Sequence, residues 1–193
     1  MDARSFSVQE RLRDGSTIHI RAIWPDDKER LSELFFRLSP ETIYYRFLGA
    51  KRRLTREELT YLTELDFRRQ VAIVAVLAHA GTERIVGVGR YAIPSGGLET
   101  RAEVALTVED AEQGRGIGKL LFENLTHIAR GQGIEEFEAH VFAENTRMIA
   151  LFERSGRVTG RSVEGGVCHL LITTSPTHPP SRTPSPRGNT SVS

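Results

Sequence analysis

The chain has 193 residues, 39% of them hydrophobic and 26% charged, with 26 basic residues against 25 acidic ones for a net charge of +1. That length fits one globular domain with a sizeable core, and the near-neutral balance excludes a general nucleic-acid-coating role, which needs an excess of positive charge. The longest apolar run, residues 71–78, is far short of the ~20 residues of a membrane-spanning helix, so neither nucleic acid nor membrane is expected as a partner. Residues 1–15 alternate charges where a secretory signal would carry a continuous apolar segment. Cys168 stands alone in an apolar stretch, so no internal disulfide can form. A reducing, cytoplasmic setting and an inert core thiol are the expectations.

Residues 16–23 alternate apolar and polar side chains, the period of a half-buried strand, until Trp24-Pro25-Asp26-Asp27 interrupts it. Over 28–38, Leu31, Leu34, Phe35 and Leu38 recur at intervals of three and four, one face of a helix. Ser39-Pro40-Glu41 restarts a short helix through Tyr44, Tyr45 and Phe47, and Thr55-x-x-Glu58 has capping-box spacing for a further helix to about Leu65. Strands are predicted at 71–78 and 85–93, joined by a turn at Ala80-Gly81-Thr82-Glu83, and again at 103–108. Ile117, Leu120, Leu121, Leu125, Ile128 and Ala129 then mark an amphipathic helix. A strand at 137–142, a helix at 146–155 stopped near Gly156, and a strand at 167–172 complete the order. Such an order describes an α+β or mixed α/β domain built on one sheet. After Ile172 the composition changes: residues 173–193 hold five of the eight prolines and almost no apolar side chain. The folded domain is therefore expected over 1–172, and a disordered tail beyond it.

Gly114, Gly116 and Gly118 alternate between a strand and a helix, which leaves the backbone N–H groups unobstructed by side chains. Amides at a helix N-terminus lack intrahelical partners and carry the positive end of the dipole, so they bind anions, phosphate above all. The spacing fails the Walker A pattern, because Lys119 is followed by Leu120, and the Rossmann pattern, because Lys119 stands where the third glycine belongs. A tight strand-to-helix turn with no ligand is the alternative reading.

Gln113-x-x-Gly116-x-Gly118 instead resembles the acetyl-CoA pyrophosphate loop of the GCN5-related N-acetyltransferases, the GNAT superfamily. Val141-Phe-Ala-Glu-Asn145 and the helix running to Gly156 are similar to the family's next strand and its Asn-initiated helix. In the N-terminal half, Ile20-Arg-Ala-Ile-Trp-Pro-Asp-Asp27, Phe35-Phe-Arg-Leu-Ser-Pro-Glu41 and Tyr45-Arg-Phe-Leu-Gly49 resemble the catalytic domain of bacterial Pat-type protein lysine acetyltransferases, as does the stretch 54–66. The resemblance implies an α+β fold whose mostly antiparallel sheet is splayed near its middle and flanked by helices. It implies acetyl-CoA as co-substrate, held by Leu106, Thr107, Val108, Gln113, Gly114, Arg115, Gly116, Ile117, Gly118, Lys119, Asn145 and Phe152. The acceptor it implies is a protein lysine, such as one on an acyl-CoA synthetase. Acetylation of a small amine and a non-catalytic acyl-CoA-binding module are the competing readings.

A lysine amine has an ordinary pKa of about 10.4 and must lose a proton before attacking a thioester. Glu103 is the candidate base, supported by the glutamate that related enzymes place on this strand; an exposed strand glutamate with no role is the alternative. A backbone N–H along 106–108 could polarise the thioester carbonyl. Many family members carry a tyrosine in the last helix that protonates the thiolate, and here Phe152 stands there. Tyr91, Ser155 or water remain for that role. Asn145 also reads as a plain helix cap. Lys51, Arg52, Arg53 and Arg56 could grip an acidic partner or the CoA ribose phosphate, or simply be solvated. The six histidines show no His-x-x-x-His spacing and there is no cysteine pair, so no metal site is predicted.

Overall fold

The structure, a computed structural model, describes residues 2–79 and 81–175, with His79 and Arg157 described by backbone alone. Eight strands form one sheet: β1 (Ser7–Arg11), β2 (Thr17–Ala22), β3 (Gln70–His79), β4 (Thr82–Ala92), β5 (Arg101–Val108), β6 (Glu136–Phe142), β7 (Arg157–Glu164) and β8 (Val167–Thr173). Their spatial order is β1-β2-β3-β4-β5-β6-β8-β7. Every neighbouring pair is antiparallel except β5 and β6, which run parallel over Arg101–Glu103 and Glu136–Glu138 and then part. The sheet is mixed, mostly antiparallel and splayed at its middle, as the resemblance implied.

Five helices cover it: α1 (Lys28–Arg37), α2 (Pro40–Phe47), α3 (Arg56–Thr63), α4 (Ile117–Gly131) and α5 (Thr146–Ser155). Three of them, α2, α3 and α5, start at a side-chain cap. Ser39 Oγ accepts from the Thr42 N–H at the head of α2, with Pro40 at the first helical position, where its missing N–H costs nothing. Thr55 and Glu58 form the reciprocal capping box at 3.2 and 2.8 Å. Of the stripe predicted for α4, Ile117, Leu121, Leu125, Ile128 and Ala129 are buried and Leu120 is half-buried, while Phe122, outside the predicted stripe, is buried with them. Phe122 meets Phe137 of β6 and Phe152 of α5 with ring centroids 6.0 and 5.2 Å apart. Cys168 is fully buried in this core.

Two strands escaped sequence reading, β1 and β7, and both are sheet edges. An edge strand needs few apolar residues and gains protection from charged ones, and SVQER and RVTGRSVE offer little apolar alternation. The turn expected at 80–83 is shorter, because Thr82 and Glu83 already pair with His79 and Ala78 in the β3–β4 hairpin; Ala80 lies outside the described residues. The C-terminal boundary shifts by two residues. Thr173 extends β8, and Thr174, fully buried, donates from Oγ1 to the Ile134 carbonyl at 2.7 Å and from its N–H to the Glu135 carbonyl. Paired hydroxyl and amide groups hold these threonines where composition suggested a tail. Residues 176–193 lie outside the described residues.

The interruption after β2 hides a buried ion pair. Arg21 donates to both carboxylate oxygens of Asp27, at 2.7 and 2.9 Å, and both side chains are inaccessible. The Trp24 ring stacks on the Arg21 guanidinium at 3.7 Å, and the Trp24 N–H donates to Asp27 Oδ2. Such a pair contributes less to net stability than to a single local geometry, because desolvation offsets most of the attraction. Here it fixes the turn that launches α1.

Candidate active site

The glycine-rich turn leaves β5 through a single 3₁₀ turn, Asp110–Glu112, and enters α4 at Ile117. Gly114 and Gly116 have φ of +80° and +97°, a region that side chains bearing a Cβ avoid. Gly118 serves differently, since a Cβ there would sit 2.7 Å from Leu151 Cδ1; its lack of a side chain lets α4 and α5 approach. The first hydrogen bond of α4 runs from the Leu120 N–H to the Gly116 carbonyl, so the amides of Ile117, Gly118 and Lys119 open the helix without intrahelical partners. Gln113 Nε2 donates to the Val108 carbonyl at 3.2 Å, tying the loop back to its strand.

Charges brace this loop from beneath. Glu109, buried, accepts from Arg37 of α1 and Arg84 of β4, both at 3.1 Å. Glu112 accepts from Arg84 at 2.8 Å and from Arg115. Arg115 also donates to Asp14 at 2.9 Å and to Ser16 Oγ at 2.8 Å, in the β1–β2 turn. The hydrogen bonds from Ser16, reinforced by Arg115, lower the Asp14 pKa to about 2. Arg115, read from sequence as a phosphate contact, is engaged here by Glu112, Asp14 and Ser16. Lys119 pairs with Glu123 one turn along α4. Sequence reading missed Glu109, Glu112 and Asp110. Their signal was a run of three acids in the four residues 109–112 before a phosphate-type loop, whose partners include Arg37 and Arg84 for the two glutamates and Ser39 and Thr42 for Asp110, all from distant elements.

Beyond Glu103, β5 keeps β4 on one side, with Leu106, Thr107 and Val108 registered to Gly89, Val88 and Gly87. On the other side β6 has diverged, so the backbone of 104–108 borders a gap. This is where an extended amide-bearing arm can pair with the strand. Glu103 itself is exposed and registers with Glu138 of β6, so both carboxylates share a sheet face. Two guanidinium groups lie within electrostatic reach of it. Burial lowers the Arg46 pKa, Arg90 lowers it further, and Glu103 opposes both. Burial also lowers that of Arg90, against the raising influence of Tyr61 and Glu103. Arg90 lies over the Tyr61 ring at 4.3 Å, and Tyr44 of α2 stacks on Phe142 at 4.7 Å with parallel rings.

Asn145 caps α5, its Oδ1 accepting from the Met148 N–H at 3.1 Å. Phe152, 1% exposed and packed edge-on against Phe122, is a core residue, so its position is occupied by packing rather than by a proton donor. Tyr91 is corrected as a candidate acid: it is wholly buried, donates to Gln132 Oε1 at 2.9 Å, and burial pushes its pKa up. Ser155 is half-buried at the end of α5. Of the basic cluster, Lys51 is engaged by Glu58. No helix among the described residues is long and apolar enough to cross a membrane.

A parting seam beside a glycine-rich helix start is a family-level arrangement, and comparison with known proteins decides which family. The model of the Acetyltransferase (GNAT) family matches residues 29–156. The chain belongs to the GNAT family. The crystal structure of the GNAT domain of S. lividans PAT superposes on this GNAT chain with a TM-score of 0.79 at 36% identity, covering 86% of this chain and 96% of that one. Acetyltransferase PA5475 of Pseudomonas aeruginosa is 34% identical over 139 residues, 72% of this chain and 74% of that protein. Acetyltransferase Pat of Mycolicibacterium smegmatis is 34% identical over 160 residues, 83% of this chain but 47% of the relative. The chain thus spans about half the length of the mycobacterial protein.

Proposed function

We propose that this GNAT enzyme transfers an acetyl group from acetyl-CoA to the ε-amine of a lysine on a protein acceptor, with an acyl-CoA synthetase as the acceptor class to try first. The observation that carries the reading is the exposed carboxylate of Glu103, held at the point where β5 and β6 part. In this reading the pyrophosphate lies on the amides that open α4 between Gly114 and Lys119, and the pantetheine arm runs along Leu106, Thr107 and Val108. Glu103 takes a proton from the incoming ammonium, directly or through one water. The neutral nitrogen then attacks the thioester carbon, whose oxygen is polarised by a β5 N–H. Collapse of the tetrahedral intermediate breaks the C–S bond. The CoA thiolate, with a thiol pKa of about 8.5, leaves and takes up, through solvent, the second proton that the acetylated nitrogen sheds, while Glu103 returns its own proton to solvent, and none of this requires anything of Phe152.

A protein acceptor is favoured by the openness of this face. Glu103 is exposed, and so are Tyr44, stacked on Phe142, and Tyr61, under Arg90, at 41% and 57% accessible. The folded domain is assigned to the N-terminal region through residue 174. The test is thiol release from acetyl-CoA with the wild-type chain and with Glu103→Gln, offering a purified acyl-CoA synthetase and a panel of small amines in parallel. Glu103-dependent release with the protein acceptor alone supports the reading. Release with small amines alone overturns it.

A further inference from the structure

The pairing of β6 with β8 brings together three side chains that the transfer reaction above does not use. Glu138 and His140 occupy alternate positions of β6 and so share a face, while His169 of β8 is the register partner of His140 across the antiparallel ladder. The two imidazole rings lie with centroids 4.6 Å apart, and His140 Nε2 is 3.0 Å from Glu138 Oε1. One ligand atom from each of the three residues falls within 4.8 Å of the other two. All three are half-buried, so an ion arriving from solvent reaches them without opening the core. A hydrogen-bonded His140–Glu138 pair accounts for one imidazole only. Among the described residues, His169 makes no hydrogen bond through either ring nitrogen.

From this cluster we infer that Glu138, His140 and His169 form a binding site for a zinc-class divalent ion, and that filling it inhibits acetyl transfer. Two imidazoles and one carboxylate are a donor set suited to zinc, with bonds of about 2.0–2.2 Å and a fourth position left to water. Magnesium and calcium, which require mostly oxygen ligands, are disfavoured by the same set. The spacing rules that predicted no metal site could not see this cluster, because two of its members meet only through strand pairing. The inhibitory consequence follows from Glu138 being the register partner of Glu103: a cation held there stands on the approach of a cationic amine and beside its base. That consequence rests on the proposed transfer reaction. The binding site itself does not.

The experiment is calorimetric titration of zinc chloride into the metal-stripped full chain, with cobalt(II) absorption as a second reading of imidazole ligation. One zinc per chain is expected in the wild type. The affinity should fall at least about tenfold in His140→Ala and in His169→Ala, and stay unchanged in His127→Ala, which removes an exposed histidine on α4. Circular dichroism and acetyl-CoA affinity confirm that each variant is folded, and His169→Gln serves if the alanine variant is not. Absence of saturable binding, or equal affinity in wild type and both variants, overturns the site. Zinc inhibition of thiol release that persists undiminished in His169→Ala overturns the inhibitory role. Absence of any transfer activity would count against the proposed function alone, since the calorimetry reads the site without it.

Discussion

The two sides of the seam are built differently. On the N-terminal side, β1 to β5 form a continuous antiparallel ladder with one irregularity at Ala75/Val76, and the charges set into it are matched, some locally and some across long stretches of sequence: Arg21 with Asp27, Glu109 with Arg37 and Arg84, Glu112 with Arg84 and Arg115. On the C-terminal side, β6, β8 and β7 are held under α5 by apolar packing of Phe137, Phe152, Cys168, Leu170 and Ile172. Only three registered residue pairs join β5 to β6. The body therefore fixes the loop and the candidate base, while the arm supplies the opposite wall of the gap and can differ from it in rigidity without disturbing the loop.

That contrast can be tested from either side. The largest loss of stability is expected from Asp27→Ala, which leaves the Arg21 charge buried without its bidentate partner and should cost about 3–5 kcal/mol, read from urea unfolding. Glu103→Gln, at the seam itself, should lower kcat at neutral pH by about 100-fold or more, leave acetyl-CoA affinity nearly unchanged, and leave unfolding within about 0.5 kcal/mol of wild type. A loss of stability comparable to that of Asp27→Ala would mean that Glu103 serves structure rather than chemistry. Gly116→Ala forces a Cβ into φ of +97°, a strain of about 1–3 kcal/mol that should appear as weaker acetyl-CoA binding in calorimetry. On the arm, Asn145→Ala removes the α5 cap for about 1 kcal/mol, measurable as a lower Tm, with a smaller effect on the loop than Gly116→Ala has.

The smallest effect is one of pH. Asp14 titrates at about 2 when folded, against an ordinary 3.8. A carboxylate whose pKa is depressed by folding stabilises the native state above its unfolded pKa, and that contribution disappears as pH falls through the folded value. Asp14→Asn should therefore lose the part of the acid sensitivity that lies between about pH 4 and pH 2, and behave as wild type in slope of stability against pH above that window. An unchanged acid limb would show that Arg115 and Ser16 do not hold the turn against the loop.

What was legible in the sequence is what is local. The stripe of α4, the capping box of Thr55 and Glu58, the Asn145 cap and the alternating glycines each depend on residues within one turn of helix or one strand period, and each sits where its pattern put it. The length of β5–β6 pairing, the Glu103–Glu138 register and the meeting of His140 with His169 depend on which strands become neighbours, which no single segment encodes. The same holds for the charges beneath the loop. Glu109 reads as a surface acid until Arg37 and Arg84 arrive from elements 72 and 25 positions away. Edge strands failed for the opposite reason, since β1 and β7 have little apolar pattern to read.

The gap beside residues 104–108 has one further consequence, for self-association. A strand with an unpaired backbone edge is ordinarily an invitation to another chain's strand, and proteins place charges, prolines or bulges along such edges to refuse it. Here the open edge lies inside the sheet, between two strands that remain joined at one end. A second copy of the chain cannot lay a strand into that slot without first prising β5 and β6 apart, whereas a thin extended ligand can enter. The fold thus keeps a hydrogen-bonding edge available to a small molecule while withholding it from aggregation.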